Sequence, residues 1–487
     1  MIMTKWFGRP DLAMAIYAIL MLCKLLIMIT VPVNDQLGGD EYDYVGKARF
    51  LVEHRTFREI APYRTSRDRA QGYSDFRPPG YSLFVSAFLD IDDTNAHLRR
   101  NINLAQFLLD LATTSIVLLL AYRFCHVPGY RMVAAGILGI QPWTSAFIIS
   151  IYPDTMTTFL TMIGLLGLSW FVVSLNHARQ AAALIGGSVF LSLTFLVRPE
   201  MILLVPVLVL VALVLARQRL TLRSFTAFGL LAAMPILAVL GMNMAYRWQV
   251  AHEVRIFGKF QAATPGLMLW TKTWIGRQEL KEELIFGGLS RVDRNRFASL
   301  PDQVFTDDTE RRELTRIVDA VKKRGHLTAE EDQDFMAIAR NRIAADPMTY
   351  YVWTRLYNVG HFWVNLSNAS HYLIGFSQLP SAISKFLTGS FLILKLVLLS
   401  GFILGVVLLI RLPTYDLSRH WHLSFLVLGI TVVLMRTGFF AFYSNYVEFR
   451  YALVAWPFVL TTALYALARV WQTLTNRTEY RDGASRP

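Results

Sequence analysis

The sequence predicts an all-α, polytopic membrane protein of about ten transmembrane helices, with interfacial helices and one long loop outside the bilayer. Two observations carry this. Of 487 residues, 54% are hydrophobic and only 17% charged. The apolar residues also gather into long runs, the shortest at 181–197 and the longest at 386–411. At ~1.5 Å rise per residue such runs cross ~30 Å of hydrocarbon as helices. A lipid-embedded segment must satisfy its own backbone amides, so long apolar runs mean helices.

The candidate spans are 11–32, 101–123, 131–150, 154–175, 181–197, 199–216, 224–246, 386–411, 422–444 and 450–472. The first is not read as a cleavable signal, because it is long and no small-residue cleavage site follows it. Lys5 and Arg9 place the N-terminus inside. The short loops bearing Arg123 and Arg131, His177 and Arg179, Arg217, Arg219 and Arg223, and Arg411 and Arg419 then fall on the cytoplasmic side, with the tail. The opposite set is 33–100, the turns at 150–154, 197–200 and 444–450, and the long segment 247–385.

Residues 78–90 are apolar but reach only ~20 Å as a helix, too short to cross, so they are expected to lie in the interface. The centre of 247–385 is charged and helical in pattern, with Leu314, Ile317, Val318 and Val321 on one face. Its aromatic end, 348–376, suits helices at a membrane surface. The expected organisation is a seven-span membrane module at 1–246 that includes the first outer loop 33–100, an extracytoplasmic helical segment at 247–385, and a three-span module with a cytoplasmic tail at 386–487.

The net charge is +13. Lys and Arg cluster in short loops, as topology requires, and no basic stripe interleaved with aromatics points to nucleic acid. The two cysteines, Cys23 in mid-span and Cys125 in a basic loop, are not placed to form a disulfide.

The unusual polar motifs all fall in the outer set. Gly38-Gly39-Asp40-Glu41-Tyr42-Asp43-Tyr44 puts three carboxylates just past the first span. A base that activates a hydroxyl must be an ionised carboxylate or a His within hydrogen-bond reach, and Asp40 and Glu41 qualify. The plainer alternative is solvated acids that suit a helix start. Asp154 opens the fourth span, where an N-cap role alone would account for it. Arg77, Arg198 and Arg450 run against the charge bias of that side. Guanidinium groups match phosphate oxygens in bidentate geometry, although snorkelling or pairing with Glu200 and Glu448 explains them too. Lys259 and the Arg64, Arg67, Arg69 cluster are weaker cations of the same kind. Asn103, Gln106 and Asp110 share one face of the second span, as function or interhelical bonding would require. Arg436 lies inside the ninth span, and His361 and His371 sit in the aromatic stretch without metal-ligand spacing.

Taken in order, Asp40-Glu41, Arg77-Pro78-Pro79-Gly80-Tyr81, Asp154, Arg198-Pro199 and Glu448-Phe449-Arg450-Tyr451 resemble the GT-C superfamily of glycosyltransferases. The resemblance is greatest to the protein mannosyltransferase and lipid A aminoarabinose transferase branch, which uses polyprenyl-phosphate sugars. It covers 1–246 and, less fully, 440–472. It implies an inverting transfer of one sugar from a polyprenyl-phosphate donor to a hydroxyl of a cell-envelope acceptor: a lipid such as lipopolysaccharide, a glycan or a protein. The chain would sit in a bacterial inner membrane with its site facing the periplasm. By the same resemblance, Asp40 is the base, with Glu41 and Asp154 as further catalytic carboxylates. Arg77, Arg198, Arg450 and Lys259 would hold the donor phosphate, and Tyr44, Tyr81, Glu448 and Tyr451 would line the substrate pocket. No resident cofactor or metal site is expected, though a divalent cation is possible between carboxylates and phosphate. The alternatives are a transporter or flippase of a lipid-linked or anionic substrate, and a ligase that uses a polyprenyl-pyrophosphate glycan.

Overall fold

In the computed structural model, the described residues are 11–30, 32, 35–38, 40–57, 77–90, 93–252, 254, 256, 265–276, 281, 304–324, 327–364, 380–444 and 447–484. Among them the chain is helical, with no strand. Among the described residues, nine helical stretches are long and apolar enough to cross a membrane: Leu12–Thr30, Asn95–Phe124, Asp154–Val173, His177–Val197, Pro199–Arg219, Leu222–Val250, Ser381–Ile410, Trp421–Tyr443 and Arg450–Thr475.

The chain divides into two compact units. Unit 1 comprises Met1–Gly258, Leu366–Met435 and Leu453–Pro487. Its elements begin with α1 (Leu12–Thr30), α2 (Glu41–His54), α3 (Gly80–Ser86), α4 (Asn95–Phe124), α5 (Pro128–Ile140), α6 (Asp154–Val173) and α7 (His177–Val197). A 3-10 turn, Pro199–Leu203, runs into α8 (Leu204–Ala216), and α9 (Leu222–Ala251) follows. Unit 2 comprises Lys259–Asn365 and Arg436–Ala452. It holds α10 (Pro265–Lys272), α11 (Asp308–Arg324), α12 (Ala329–Ala345) and a π-turn, Thr349–Trp353, that leads into α13 (Thr354–Val364). The chain then passes through α14 (Ser381–Ile410), α15 (Thr414–Arg419), α16 (Trp421–Gly438), the π-turn Phe439–Tyr443 and the 3-10 turn Phe449–Ala455 to α17 (Trp456–Ala484).

Local chemistry explains the ends of these helices. Thr94 caps α4 by accepting from His97 N, Asn176 caps α7 by accepting from Arg179 N, and Thr221 caps α9 by accepting from Ser224 N. α6 and α7 form an intimate pair because Gly167 faces Gly187: a Cβ on Gly167 would lie 2.8 Å from the Gly187 Cα. Apolar tails in lipid give helices no hydrophobic reason to associate, so close backbone approach at small residues does the holding.

One expected span is corrected. The sequence predicts a spanning helix over 131–150, but α5 ends at Ile140, and its thirteen residues reach only about 20 Å. From Gln141 onward the backbone is non-helical and buried. Side chains of α1 and α4 replace the missing helical bonds. Lys24 donates to the Gln141 carbonyl (3.0 Å) and to Ser145 Oγ (2.9 Å), whose hydroxyl donates to Asp110 (2.7 Å). Gln106 donates to the carbonyls of Ile148 (3.1 Å) and Ser150 (2.8 Å). The Asn103 amide nitrogen, turned toward it, reaches the same Ile148 oxygen at 2.9 Å. Between Ser145 and Ile151 the segment thus climbs α4 from Asp110 toward Arg99, roughly 16 Å of helix. Irregular backbone at this depth is tolerated where protein covers it and supplies the partners. The polar face Asn103, Gln106 and Asp110 is therefore a rail for a broken span. Residues 78–90 do not cross: α3 has only seven residues.

Unit 2 has its own core. Leu314, Ile317, Val318 and Val321 of α11 are all buried, as their spacing predicts, and pack with Leu267, Trp270, Trp274 and Phe335. The pair between buried Glu310 and partly buried Arg342 ties α11 to α12, and Trp270 Nε1 donates to Glu310 at 3.1 Å. Thr328 and Glu331 form a capping box at the start of α12.

Candidate active site

At one end of unit 1, α2, α3, the start of α4, the turn at Ile151, and the facing ends of α6 and α7 share a single apolar cluster. It contains Tyr44, Val45, Ala48, Tyr81, Val85, Leu98, Ile102, Ile151, Leu160 and Val197. Polar groups are set into this cluster.

Asp40 stands at the N-terminus of α2 but does not cap it. Its carboxylate pairs with Arg77 instead. Residues three, four and seven positions along share one helix face with it. Asp43 meets Arg77 Nε at 3.1 Å, Tyr44 OH accepts from Arg77 Nη1 at 2.9 Å, and Lys47 donates to the Arg77 carbonyl at 3.1 Å. The guanidinium carbon lies 5.0 Å from the Tyr44 ring centroid. A stripe of α2 thus holds Arg77 at the surface: the Asp40 and Arg77 side chains are 23% and 18% exposed.

Glu41, one residue on, points into the protein and is 4% exposed. Arg99 grips it with both terminal nitrogens, at 2.7 and 2.8 Å, and it also accepts from Gly38 N and Ile151 N, both at 2.9 Å. With four donors its lone pairs are spoken for. Glu41 fastens α2 to α4 and to the non-helical segment.

Tyr81 is fully buried, edge-on to Tyr44 at 4.9 Å, with its hydroxyl 3.4 Å from Gln106 Oε1. Burial pushes its pKa well above the ordinary phenol value, and Tyr44, Asp154 and Glu41 add to the rise, so the phenol stays protonated. Gly80 makes this placement possible, because a Cβ there would lie 2.6 Å from the Leu196 carbonyl oxygen at the end of α7. Asp154, 1% exposed, opens α6 and pairs with Arg198, which also meets Glu200 at 2.9 Å. Asp154 Oδ2 is buried without a hydrogen-bond partner.

Seven of the expected site residues therefore meet in unit 1: Asp40, Glu41, Tyr44, Arg77, Tyr81, Asp154 and Arg198. Three belong to unit 2 and meet one another. Arg450 lies 2.5 Å from Glu448 and 5.3 Å from the Tyr451 ring centroid, and Tyr451 OH lies 3.4 Å from Glu448. Arg436, buried in unit 2, donates to the Tyr451 carbonyl at 3.1 and 2.8 Å. Lys259, the Arg64, Arg67, Arg69 cluster and His371 lie outside the described residues. Among the described residues no three His, Cys, Asp or Glu side chains group as a metal site.

Sequence reasoning missed Arg99, Lys47 and Lys24. A faint signal existed for Arg99: it lies at the mouth of a span on the side where arginines are scarce. Lys24 carried a stronger one, as a lone charge within an apolar run.

No protein-family model matches the sequence, and no curated protein matches it. Among solved structures the chain is similar to the archaeal oligosaccharyltransferase AglB from Archaeoglobus fulgidus, solved in complex with an inhibitory peptide and a dolichol-phosphate. The identity is 12% and the TM-score 0.49, over 98% of this chain and 52% of that one. The chain spans about half the length of that protein. At this identity and score the likeness assigns no family.

Proposed function

We propose that this chain is an integral membrane glycosyltransferase of GT-C type. In this reading it inverts the anomeric centre while moving one sugar from a polyprenyl-phosphate donor to a hydroxyl of a cell-envelope acceptor, on the outer face of the membrane. One observation carries the reading. Asp40 and Asp43, unlike the buried Glu41 and Asp154, are partly open to solvent and held against an equally open Arg77, and Asp40 stands at the very start of α2.

The two groups match the two charges such a transfer must manage. The acceptor oxygen bonds to the anomeric carbon and its proton passes to the Asp40 carboxylate. The bond from that carbon to the phosphate oxygen breaks, and its electron pair leaves with the polyprenyl phosphate. Arg77 stabilises the charge that grows there. Its fork, occupied by Asp40, Asp43 and Tyr44 in the free protein, turns in part to phosphate oxygens, which frees Asp40 to accept the proton. Arg198, held by Asp154 and Glu200, would be the second cation. Glu41 positions rather than reacts. Single displacement needs no carboxylate nucleophile. Glu448, Arg450 and Tyr451 remain candidates for the donor and its sugar.

The test is Asp40→Asn in purified full chain. Donor lipid should still bind, while turnover falls about 10²–10⁴-fold, the usual worth of a general base. Undiminished transfer would overturn the assignment. Comparing monophosphate and pyrophosphate donors separates this reading from a glycan ligase.

A transporter reading gains one observation, the chain Lys24–Ser145–Asp110 buried at span depth. It predicts that labelled lipid crosses proteoliposomes containing the protein, and that Asp110→Asn stops this. No crossing would remove it.

A further inference from the structure

A second cationic site lies within unit 2, and nothing in the proposed transfer uses it. Lys272 ends α10, Lys281 follows nine residues later, and Arg355 opens α13. The end of α10 meets the π-turn Phe439–Tyr443, and Gly276 just beyond it meets α13. Lys272 Nζ sits 5.5 Å from the Tyr443 ring centroid, and Arg355 Nη1 donates to the Ala441 carbonyl of the same turn at 3.4 Å. Asn358, one turn beyond Arg355, reaches that carbonyl at 3.3 Å. Lys281 donates to the Trp274 carbonyl at 2.8 Å. Gly276 lies against Tyr357: a Cβ there would be 3.3 Å from the phenol oxygen.

Lys281 is fully buried and Arg355 nearly so. Among the described residues no carboxylate pairs with any of the three. Lys272 makes no hydrogen bond there, and Lys281 and Arg355 make one each. Burial pulls Lys281 down to about 7 and Lys272 down to about 8, and Arg355 adds to both shifts. Proteins rarely keep buried like charges together without a counter-ion, because desolvation and repulsion add.

We propose that Lys272, Lys281 and Arg355 form a binding site for the phosphate group of a membrane lipid. Two ammonium groups and a planar guanidinium supply the donors that phosphate oxygens accept. The surrounding surface suits the rest of such a molecule. Ile275, Tyr351, Trp353, Leu356, Phe442 and Tyr443 are all exposed, an aromatic and aliphatic face of the kind that settles at lipid headgroups. The proposal stands apart from the transferase reading, since lipid binding here needs no sugar and no Asp40.

The test uses purified full chain in detergent, with labelled dioleoyl phosphatidic acid and, as the phosphate-free probe, labelled dioleoylglycerol. Phosphatidic acid should bind and dioleoylglycerol should not. Lys281→Met and the partly buried Lys272→Gln should each weaken phosphatidic acid at least tenfold. Lys272→Gln keeps the test decisive if Lys281→Met unfolds. Inorganic phosphate should compete only at concentrations far above the lipid's. Unaltered phosphatidic acid binding in both lysine variants overturns the site. Inorganic phosphate that binds as tightly as the lipid, with loss in the same variants, overturns the lipid as its source.

Discussion

Asp40 and Glu41 are neighbours in sequence, and the structure predicts opposite consequences for neutralising them. Glu41→Gln removes the charge from a buried carboxylate that accepts two hydrogen bonds from Arg99 and one each from Gly38 N and Ile151 N. The new amide nitrogen must face donors, and Arg99 is left as a buried, uncompensated cation. Breaking a buried pair from one side costs ~3–5 kcal/mol. Asp40→Asn disturbs an ion pair whose members are 23% and 18% exposed, for which solvent screening leaves ~0–1 kcal/mol. At ~2–4 °C per kcal/mol for units of moderate size, Glu41→Gln should melt on the order of 10 °C below the parent, and Asp40→Asn within a few degrees of it. The assay is thermal unfolding followed by tryptophan fluorescence in detergent, at one scan rate for all variants. The double variant Glu41→Gln/Arg99→Met should recover part of the loss, because it removes the stranded cation. Equal melting of the two single variants would refute the reasoning. So would a Glu41→Gln protein that melts like the parent yet transfers no sugar, since that outcome makes Glu41 a reacting group.

Other outcomes follow from the same geometry. Gly80→Ala drives a Cβ to 2.6 Å from the Leu196 carbonyl, so α3 must lift from α7 and carry Tyr81 and Arg77 with it; sugar transfer should fall at least tenfold while unit 2 keeps its fold, checked by limited proteolysis. Arg77→Lys keeps a charge but loses the fork, and should lower turnover about 10²-fold, measured with saturating donor. Leu314→Ala opens a void in the core of unit 2 and should cost ~2–5 kcal/mol there, read by hydrogen exchange in α11 and α12. Arg355 acts on both Lys281 and Lys272, Tyr443 lies by Lys272 and Tyr350 by Arg355; with burial pulling the lysines to about 7 and about 8 in the free protein, phosphatidic acid binding should take up protons and weaken as pH rises from 6 to 9. In lipid-free protein these lysines bind fewer protons folded than unfolded, so the stability of unit 2 should rise from about pH 7 upward, and a flat profile in both titrations would count against the cluster.

What the sequence could reveal was set by short-range rules. Hydrophobic length finds α1, α4 and α14 without tertiary help, because a helix in lipid satisfies itself. The period-3.6 stripe of α11 was legible because its core face repeats every turn. Residues 131–150 failed the same test for a physical reason. Composition reports only that a stretch is apolar, and its bonds come from Lys24, Gln106 and Asn103, which belong to other helices. The acidic stretch after the first span was equally visible, but which acid stays accessible was not. That depends on Arg99, fifty-eight residues away, reaching Glu41 and leaving Asp40 to Arg77.

The sequence by itself determined an all-helical membrane protein with carboxylates and arginines gathered in particular turns. Only the tertiary structure decided which acid is buried and which is open, that Arg450 shares a unit with Glu448 rather than with Asp40, and that Lys272 and Arg355 reach the same π-turn. Spans are written into composition because the bilayer acts on each segment separately. Ion pairs between distant segments depend on the packing that brings them together.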